Sequence, residues 1–86
     1  MNVYPTSFNK AFVITKSNSV NYPQLETFPE GPQAIYVGGA GVVAAVFQDD
    51  SVAEFTAVAG EILPLRTKRV NSTNTTATLM IALYAV

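Results

Sequence analysis

The chain has 86 residues, a net charge of −1, and neither cysteine nor histidine. One domain fits this length, and a domain so small has a modest core that is marginal alone. The missing residue types exclude disulfides and zinc sites built from Cys and His. The near-zero charge provides no field that would attract nucleic acid or an anionic membrane. We therefore expect no cofactor, no nucleic-acid partner and no membrane partner.

The balance of apolar and charged residues favours a subunit of an assembly. Hydrophobic residues make up 49% of the chain and charged residues 13%, against about 25% charged in a typical soluble domain. A free monomer of this composition would expose apolar patches that an oligomer would cover. Association with other subunits also stabilises domains too small to be stable by themselves.

The sequence pattern predicts little regular structure in the N-terminal third of the chain. Residues 1–10 lack the basic start and apolar run of a signal peptide, and we interpret them as an extended arm. Residues 11–15 form a β-prone run. Residues 16–33 contain three prolines, which cannot donate to a β-ladder, and therefore predict a long irregular loop.

The rest of the chain reads as short strands separated by turns. Strands are predicted at residues 34–37, 42–48, 52–57, 62–70 and 77–84. The fourth strand of the chain, residues 52–57, alternates between two sets of side chains, which is the period of a half-buried strand. A glycine turn at 38–41 separates the strands at 34–37 and 42–48, and an acidic hairpin tip at 49–51 separates the strands at 42–48 and 52–57. The pattern predicts an all-β fold, a small β-sandwich or barrel of about six short strands, with residues 11–86 as one domain.

The last strand, residues 77–84, is apolar on both faces. One face can meet the domain's own core, whereas the other needs a second sheet or another subunit. At ten residues the most apolar stretch, 77–86, is far short of the roughly 20 residues that span a bilayer. The chain is expected to be soluble in the cytoplasm before it assembles.

No motif points to catalysis or to a bound ion. Asp49 and Asp50 are adjacent at a hairpin tip, where they are poorly placed as a catalytic pair and have no neighbours that complete a calcium cage. The glycines at 38–41 lack the Gly-Lys-Ser/Thr ending and the helix that phosphate-binding loops require. The sequence therefore predicts no catalytic, cofactor-binding or metal-binding residue.

Aromatic and basic side chains are the candidates for contact with other subunits. Arg66, Lys68 and Arg69 form a basic cluster that either lies in solvent or meets an acidic neighbour. Aromatic residues near the N-terminus and in the long loop suit core packing or subunit contact. The candidate interface residues are Tyr4, Phe8, Phe12, Tyr22, Phe28, Arg66, Lys68, Arg69, Met80 and Tyr84.

Three motifs occur in an order that resembles a known family. Residues 36–41 read YVGGAG, residues 58–70 read VAGEILPLRTKRV, and residues 75–84 begin with TTAT and end with ALY. This order is similar to that of small tailed-phage proteins related to the head-spike base protein of gene transfer agents. The resemblance covers residues 34–84, and residues 10–15 are similar to the opening strand of that family.

The resemblance implies a virion structural protein with no catalytic residues. Members of such a family would oligomerise as a ring, a pentamer or a trimer, on the major capsid protein, typically at the five-fold vertices. The expected role is a head-spike base or capsid decoration subunit that anchors a fibre protein at the capsid surface.

Two other classes of function compete with this interpretation. A small β-barrel module that binds carbohydrate or another ligand would need a groove with exposed aromatic side chains. An enzyme would need a base or nucleophile with a tuned pKa, and the missing histidine and cysteine disfavour it.

Overall fold

The computed structural model describes residues 8, 10–23 and 31–85, and these form seven strands in two antiparallel sheets. The strands are β1 (Lys10–Val13), β2 (Ala34–Gly39), β3 (Gly41–Phe47), β4 (Val52–Ala57), β5 (Glu61–Leu63), β6 (Thr67–Val70) and β7 (Thr78–Tyr84). The first sheet has the order β1-β7-β2-β5, and the second has the order β4-β3-β6. The all-β prediction is confirmed, and of its two architectures the sandwich is the one observed.

The core lies between the two sheets. The first sheet contributes side chains such as Ile35, Val37 and Tyr84, and the second contributes Val43 and Val70, all of which are buried. These residues occupy alternate positions along their strands because successive side chains of a strand point to opposite faces. In β4 the predicted alternation is confirmed, since its even-numbered residues are exposed while its odd-numbered ones are half-buried or buried.

The predicted fifth segment, residues 62–70, is two strands rather than one. β5 ends at Leu63 and belongs to the first sheet, whereas β6 begins at Thr67 and belongs to the second. Pro64 stands between them, and its missing N–H cannot continue a ladder. The described residues therefore form seven strands where the sequence predicted about six, because the chain changes sheets at this proline.

Several strand boundaries also differ from the sequence prediction. β1 begins one residue early, at Lys10, which the sequence assigned to the arm, and it ends at Val13 rather than at residue 15. Gly38 and Gly39 lie inside β2, so only Ala40 separates β2 from β3. The glycine motif therefore marks a crossing between the two sheets, where the sequence predicted a turn four residues long.

The described part of the long loop lies along an edge of the second sheet. The backbone N–H of Ser17 donates to the carbonyl of Val70 at 2.9 Å, and that of Tyr22 donates to the carbonyl of Lys68 at 2.8 Å. These bonds cover the outer edge of β6, which would otherwise present unpaired backbone groups. Residues 24–30 of the loop lie outside the described residues.

The polar segment 71–77 extends β6 along the edge of β3. Carbonyl oxygens of β3 accept from Asn71, Thr76 and Ala77. Two backbone N–H groups of β3 donate to threonine hydroxyls of this segment instead of to backbone carbonyls. Thr75 Oγ1 accepts the N–H of Ala44 at 3.0 Å, and Thr76 Oγ1 accepts the N–H of Val42 at 2.9 Å. The threonines of the TTAT motif thus complete the hydrogen bonding of a central strand.

The variant Thr75→Val tests this role of the hydroxyl. Valine keeps the shape but leaves the buried N–H of Ala44 without an acceptor, which costs about 1–3 kcal/mol. The urea unfolding midpoint should fall by the corresponding amount with an unchanged slope. Thr56→Val, at an exposed position of β4, is the control and should change the free energy of unfolding by less than about 0.5 kcal/mol. Equal effects of the two variants would contradict the assignment.

Candidate assembly surface

An uncharged row of side chains crosses the outer face of the first sheet. The register pairs Val13 with Ile81, Ile81 with Tyr36, and Tyr36 with Ile62, so these four residues lie side by side on all four strands. We call them the apolar row. Val13 is 80% exposed and Ile62 is 50% exposed, at the two edges, while the middle pair is half-buried. No described strand packs on this face, which is the outer face of β7 that the sequence left without a partner.

Leu79 adds a strained apolar side chain close to the apolar row. It lies in β7 with a φ of 54° and is 76% exposed. A left-handed conformation is unfavourable for a bulky residue and persists only where the surroundings impose it. Gly38 is opposite, and a Cβ there would lie 2.9 Å from both Cβ and O of Leu79. The glycine in the YVGGAG motif therefore makes room for a leucine that is held outward.

A second glycine of that motif makes room for the TTAT segment. A Cβ on Gly41 would lie 2.6 Å from the backbone nitrogen of Ala77 and 2.8 Å from its Cα. Ala77 is fully buried at this junction. Two of the three motifs that carried the resemblance are thus in contact, and their role in this chain is to let two backbone segments pass closely where the sheets cross.

The structure places the predicted aromatic interface residues mainly against the chain's own core. Phe12 packs edge-to-face on Tyr84, with ring centroids 5.5 Å apart. Tyr22 is packed against the core, and Phe8 is half-buried. Tyr4 and Phe28 lie outside the described residues. The role of these residues at an interface stays a prediction.

In β7 the two predicted interface residues point inward. Met80 and Tyr84 are buried in the core cluster, because they occupy the alternate positions that face the second sheet. On the opposite face lie Leu79, Ile81 and Leu83. The sequence identified the strand with excess apolar surface, but the side chains available to another subunit are these odd-numbered ones.

The basic cluster is divided by a β-bulge. The β3–β6 register shifts between Val46 and Phe47, so that Thr67 and Val70 both point inward with Lys68 and Arg69 between them. Lys68 forms an ion pair with Asp50, and the guanidinium of Arg69 donates to Asn21 Oδ1 at 3.1 Å. Arg66 lies on the exposed loop between β5 and β6. The contact of these residues with an acidic neighbour stays a prediction.

The acidic hairpin tip is held by local hydrogen bonds. The N–H and the hydroxyl of Ser51 both donate to Asp49 Oδ1, at 3.1 and 2.6 Å. These bonds favour the charged carboxylate and lower the pKa of Asp49. Among the residues that the structure describes, no three acidic side chains come together as a metal site would require. Over the same residues, no helix has the length and apolar character needed to cross a bilayer.

Two tyrosines share the interior near the loop. Burial raises the pKa of the Tyr22 phenol far above its ordinary value, although a hydrogen bond from Thr67 Oγ1 at 3.2 Å opposes the shift. Burial also raises the pKa of Tyr84, whose hydroxyl donates to the carbonyl of Pro23 at 3.3 Å. Both phenols therefore remain protonated in the folded chain at a pH where they ionise in the unfolded chain.

The same fold occurs in a protein of a virus-like particle. A chain in the solved structure of the capsid of a native GTA (gene transfer agent) particle, computed with C5 symmetry, matches with a TM-score of 0.77. The two chains are 30% identical, and the match covers 90% of this chain and 83% of that chain. No protein-family model matches the sequence, and no curated protein matches it.

The fold and the surface define the class of the protein, a small antiparallel β-sandwich with an apolar sheet face that no described strand covers. The identity and the coverage define the family. The chain belongs to the family of that GTA capsid chain and is a virion protein of the phage and gene-transfer-agent type.

Loss of stability at alkaline pH tests the buried phenols. The folded pKa is above the unfolded value of about 10, so this contribution to stability is complete below pH 10 and is lost as the pH rises further. Tyr22→Phe removes one of the two phenols, so the free energy of unfolding should fall less steeply as the pH rises. The lost hydrogen bond costs about 1 kcal/mol at pH 7. Urea unfolding between pH 7 and 11 measures both. If the free energy of unfolding of the variant falls as steeply with pH as that of the parent, the assignment is contradicted.

Replacing Leu79 tests whether the fold itself needs this side chain. Asparagine tolerates the left-handed conformation better than leucine, and an exposed leucine loses little burial. Leu79→Asn should therefore raise the free energy of unfolding by about 0.5–1 kcal/mol. Ile62→Asn, on the same face without the positive φ, is the control and should not stabilise the chain. A loss above about 1 kcal/mol for Leu79→Asn would show that the leucine packs within its own domain.

Proposed function

We propose that this chain is a non-enzymatic structural subunit of the virion, a head-spike base or capsid decoration protein that forms a homo-oligomeric ring. It docks on the major capsid protein at the surface of the particle and anchors a fibre. The observation that carries the proposal is the 30% identity, over most of both chains, to a chain in the capsid of a GTA particle. A capsid structure computed with C5 symmetry repeats each chain about a five-fold axis, and the proposed ring is compatible with such a repeat.

The outer sheet face supports an assembly role. The apolar row and Leu79 are uncharged, and together they reach from the β1 edge to the β5 edge of the sheet. Exposed apolar patches of this kind mark contact surfaces, since a stable monomer gains nothing by keeping them in water. The fully buried centre of a subunit interface is likewise depleted of charged residues. In the assembled particle this face lies against another subunit.

The placement of the aromatic residues disfavours the alternative of a carbohydrate-binding module. Such a module presents aromatic rings in an open groove, whereas Phe47 and Phe55 pack against the core and Tyr84 lies within it. The close contact between the glycine and threonine motifs also leaves them with a structural role instead of a ligand to bind. These observations favour a subunit over a binding module.

A matched pair of charge substitutions tests the assembly role of the sheet face. Ile62→Lys places a charge on the outer face of the first sheet, and Val52→Lys places one on the second. The two positions are 50% and 53% exposed, so both variants should fold. Ile62→Lys should weaken assembly at least tenfold, as about 1.4 kcal/mol at one contact would do. Sedimentation and incorporation into purified particles measure this.

Val52→Lys should assemble as the parent does. Equal assembly of both variants would remove the outer face of the first sheet from the proposal. A parent chain that stays monomeric at high concentration and is missing from the particle would contradict the proposed function itself.

A further inference from the structure

The two sheets differ in the charge of their outer sides. In the second sheet, Glu54 is exposed on β4, and Lys68 of β6 forms an ion pair with Asp50. In the first sheet, the outward positions of the two central strands carry no charged side chain. These positions are Ala34, Tyr36 and Gly38 in β2 and Leu79, Ile81 and Leu83 in β7. The domain therefore presents an uncharged face on one side of its core and charged groups on the other.

This difference in charge selects which surfaces of two copies fit each other. If the uncharged face packed on the second sheet of another copy, Glu54 and the Lys68–Asp50 pair would leave water without gaining a partner, which is unfavourable. If it packed on the same face of another copy, no charge would be buried. Two sheets stack face to face at about 10 Å in the interior of a β-sandwich. The uncharged face is therefore complementary to itself.

Self-pairing also accounts for the absence of charge at the centre of this face. A contact between two identical faces has a two-fold axis, so a side chain near the axis meets its own copy, and a charge there would meet an equal charge. Ile81 and Tyr36 are register partners on the two central strands, so in a pair with full overlap the axis passes close to them. A different protein could supply the opposite charge, so contact with it would not require an uncharged centre.

We propose that two copies of this chain pair face to face through the outer side of the first sheet, about a two-fold axis near Ile81. The pair covers apolar side chains that the free chain exposes, of which Leu79 is 76% exposed and Ile62 is 50% exposed. This inference goes beyond the proposed ring, because a cyclic ring contains no two-fold axis. On assembly, the particle replaces the second copy at this face.

The size of the face makes the pair reversible. The sheet has four strands, and its longest strand has seven residues. At standard strand spacing and rise these dimensions give a face of about 400 Å², roughly half of the area that each partner buries in a stable complex. We therefore expect a weak dimer that forms at high chain concentration and dissociates on dilution. Because the contact contains no charge, its affinity should not change with salt concentration.

Opposite charges at Ile81 test self-pairing in the full-length chain. Ile81→Lys and Ile81→Glu each bring like charges together near the axis, so each variant alone should lose about tenfold or more in dimer affinity, measured by sedimentation. An equimolar mixture of the two variants should regain the dimer, and added salt should weaken this mixed dimer but not the parent dimer. Ile62→Lys, at the edge of the same face, should also weaken the dimer.

Thr56→Lys and Thr56→Glu are the matched controls, because Thr56 is exposed on the second sheet. Alone or mixed, they should dimerise as the parent does. Cooperative urea unfolding of every variant checks that it is folded. A parent chain that is monomeric at every concentration would overturn the inference, and so would an equimolar mixture of the Ile81 variants that stays monomeric.

Incorporation of the parent into purified particles separates this inference from the proposed function. If the parent is incorporated but does not dimerise, only the face-to-face pair is overturned. If the parent dimerises as expected but is missing from the particle, the proposed function is contradicted and the pair stands. A parent dimer that keeps its affinity in Ile62→Lys and in both Ile81 variants would place the contact elsewhere on the chain and overturn the inference.

Discussion

The structure depends on one strand that is apolar on both faces. β7 lies in the interior of the first sheet, between β1 and β2, and pairs with both. Met80, Ala82 and Tyr84 meet the second sheet, while Leu79, Ile81 and Leu83 face outward. A domain of 86 residues has too few elements to place a further layer over that outer face. The fold therefore buries one face of β7 internally, while no strand of the described residues covers the other face.

The junction between the sheets explains why this strand can take its central place. The chain passes from the first sheet to the second at Ala40 and again after Pro64. At the first crossing, Gly38 and Gly41 allow the backbone of residues 76–79 to approach, and Thr75 and Thr76 complete the hydrogen bonding of β3. The glycines of the YVGGAG motif and the threonines of the TTAT motif are thus the residues that let the two sheets share a small core. Their chemistry is that of close backbone packing.

The sequence predicted the strands better than it predicted their partners. The alternation in β4 and the two-sided apolar character of β7 follow from local patterns, which a strand displays whatever it pairs with. Pairing is a long-range property. Pro64 marks a break in the segment, but no local pattern indicates that β5 and β6 belong to different sheets or that a bulge turns Thr67 and Val70 to the same side. The same limit applies to the surface. Large apolar side chains of β7 were candidate contacts, but only the register reveals that Met80 and Tyr84 are internal.

Leu79 connects the packing of the domain with its proposed assembly. An isolated domain would have no reason to keep a leucine exposed in a left-handed conformation, because both features are unfavourable in water. The opposing Gly38 makes that conformation possible, so the strain is built into the same motif that forms the sheet crossing. The part of the fold that is least favourable for a monomer is therefore the part that the proposed assembly would cover.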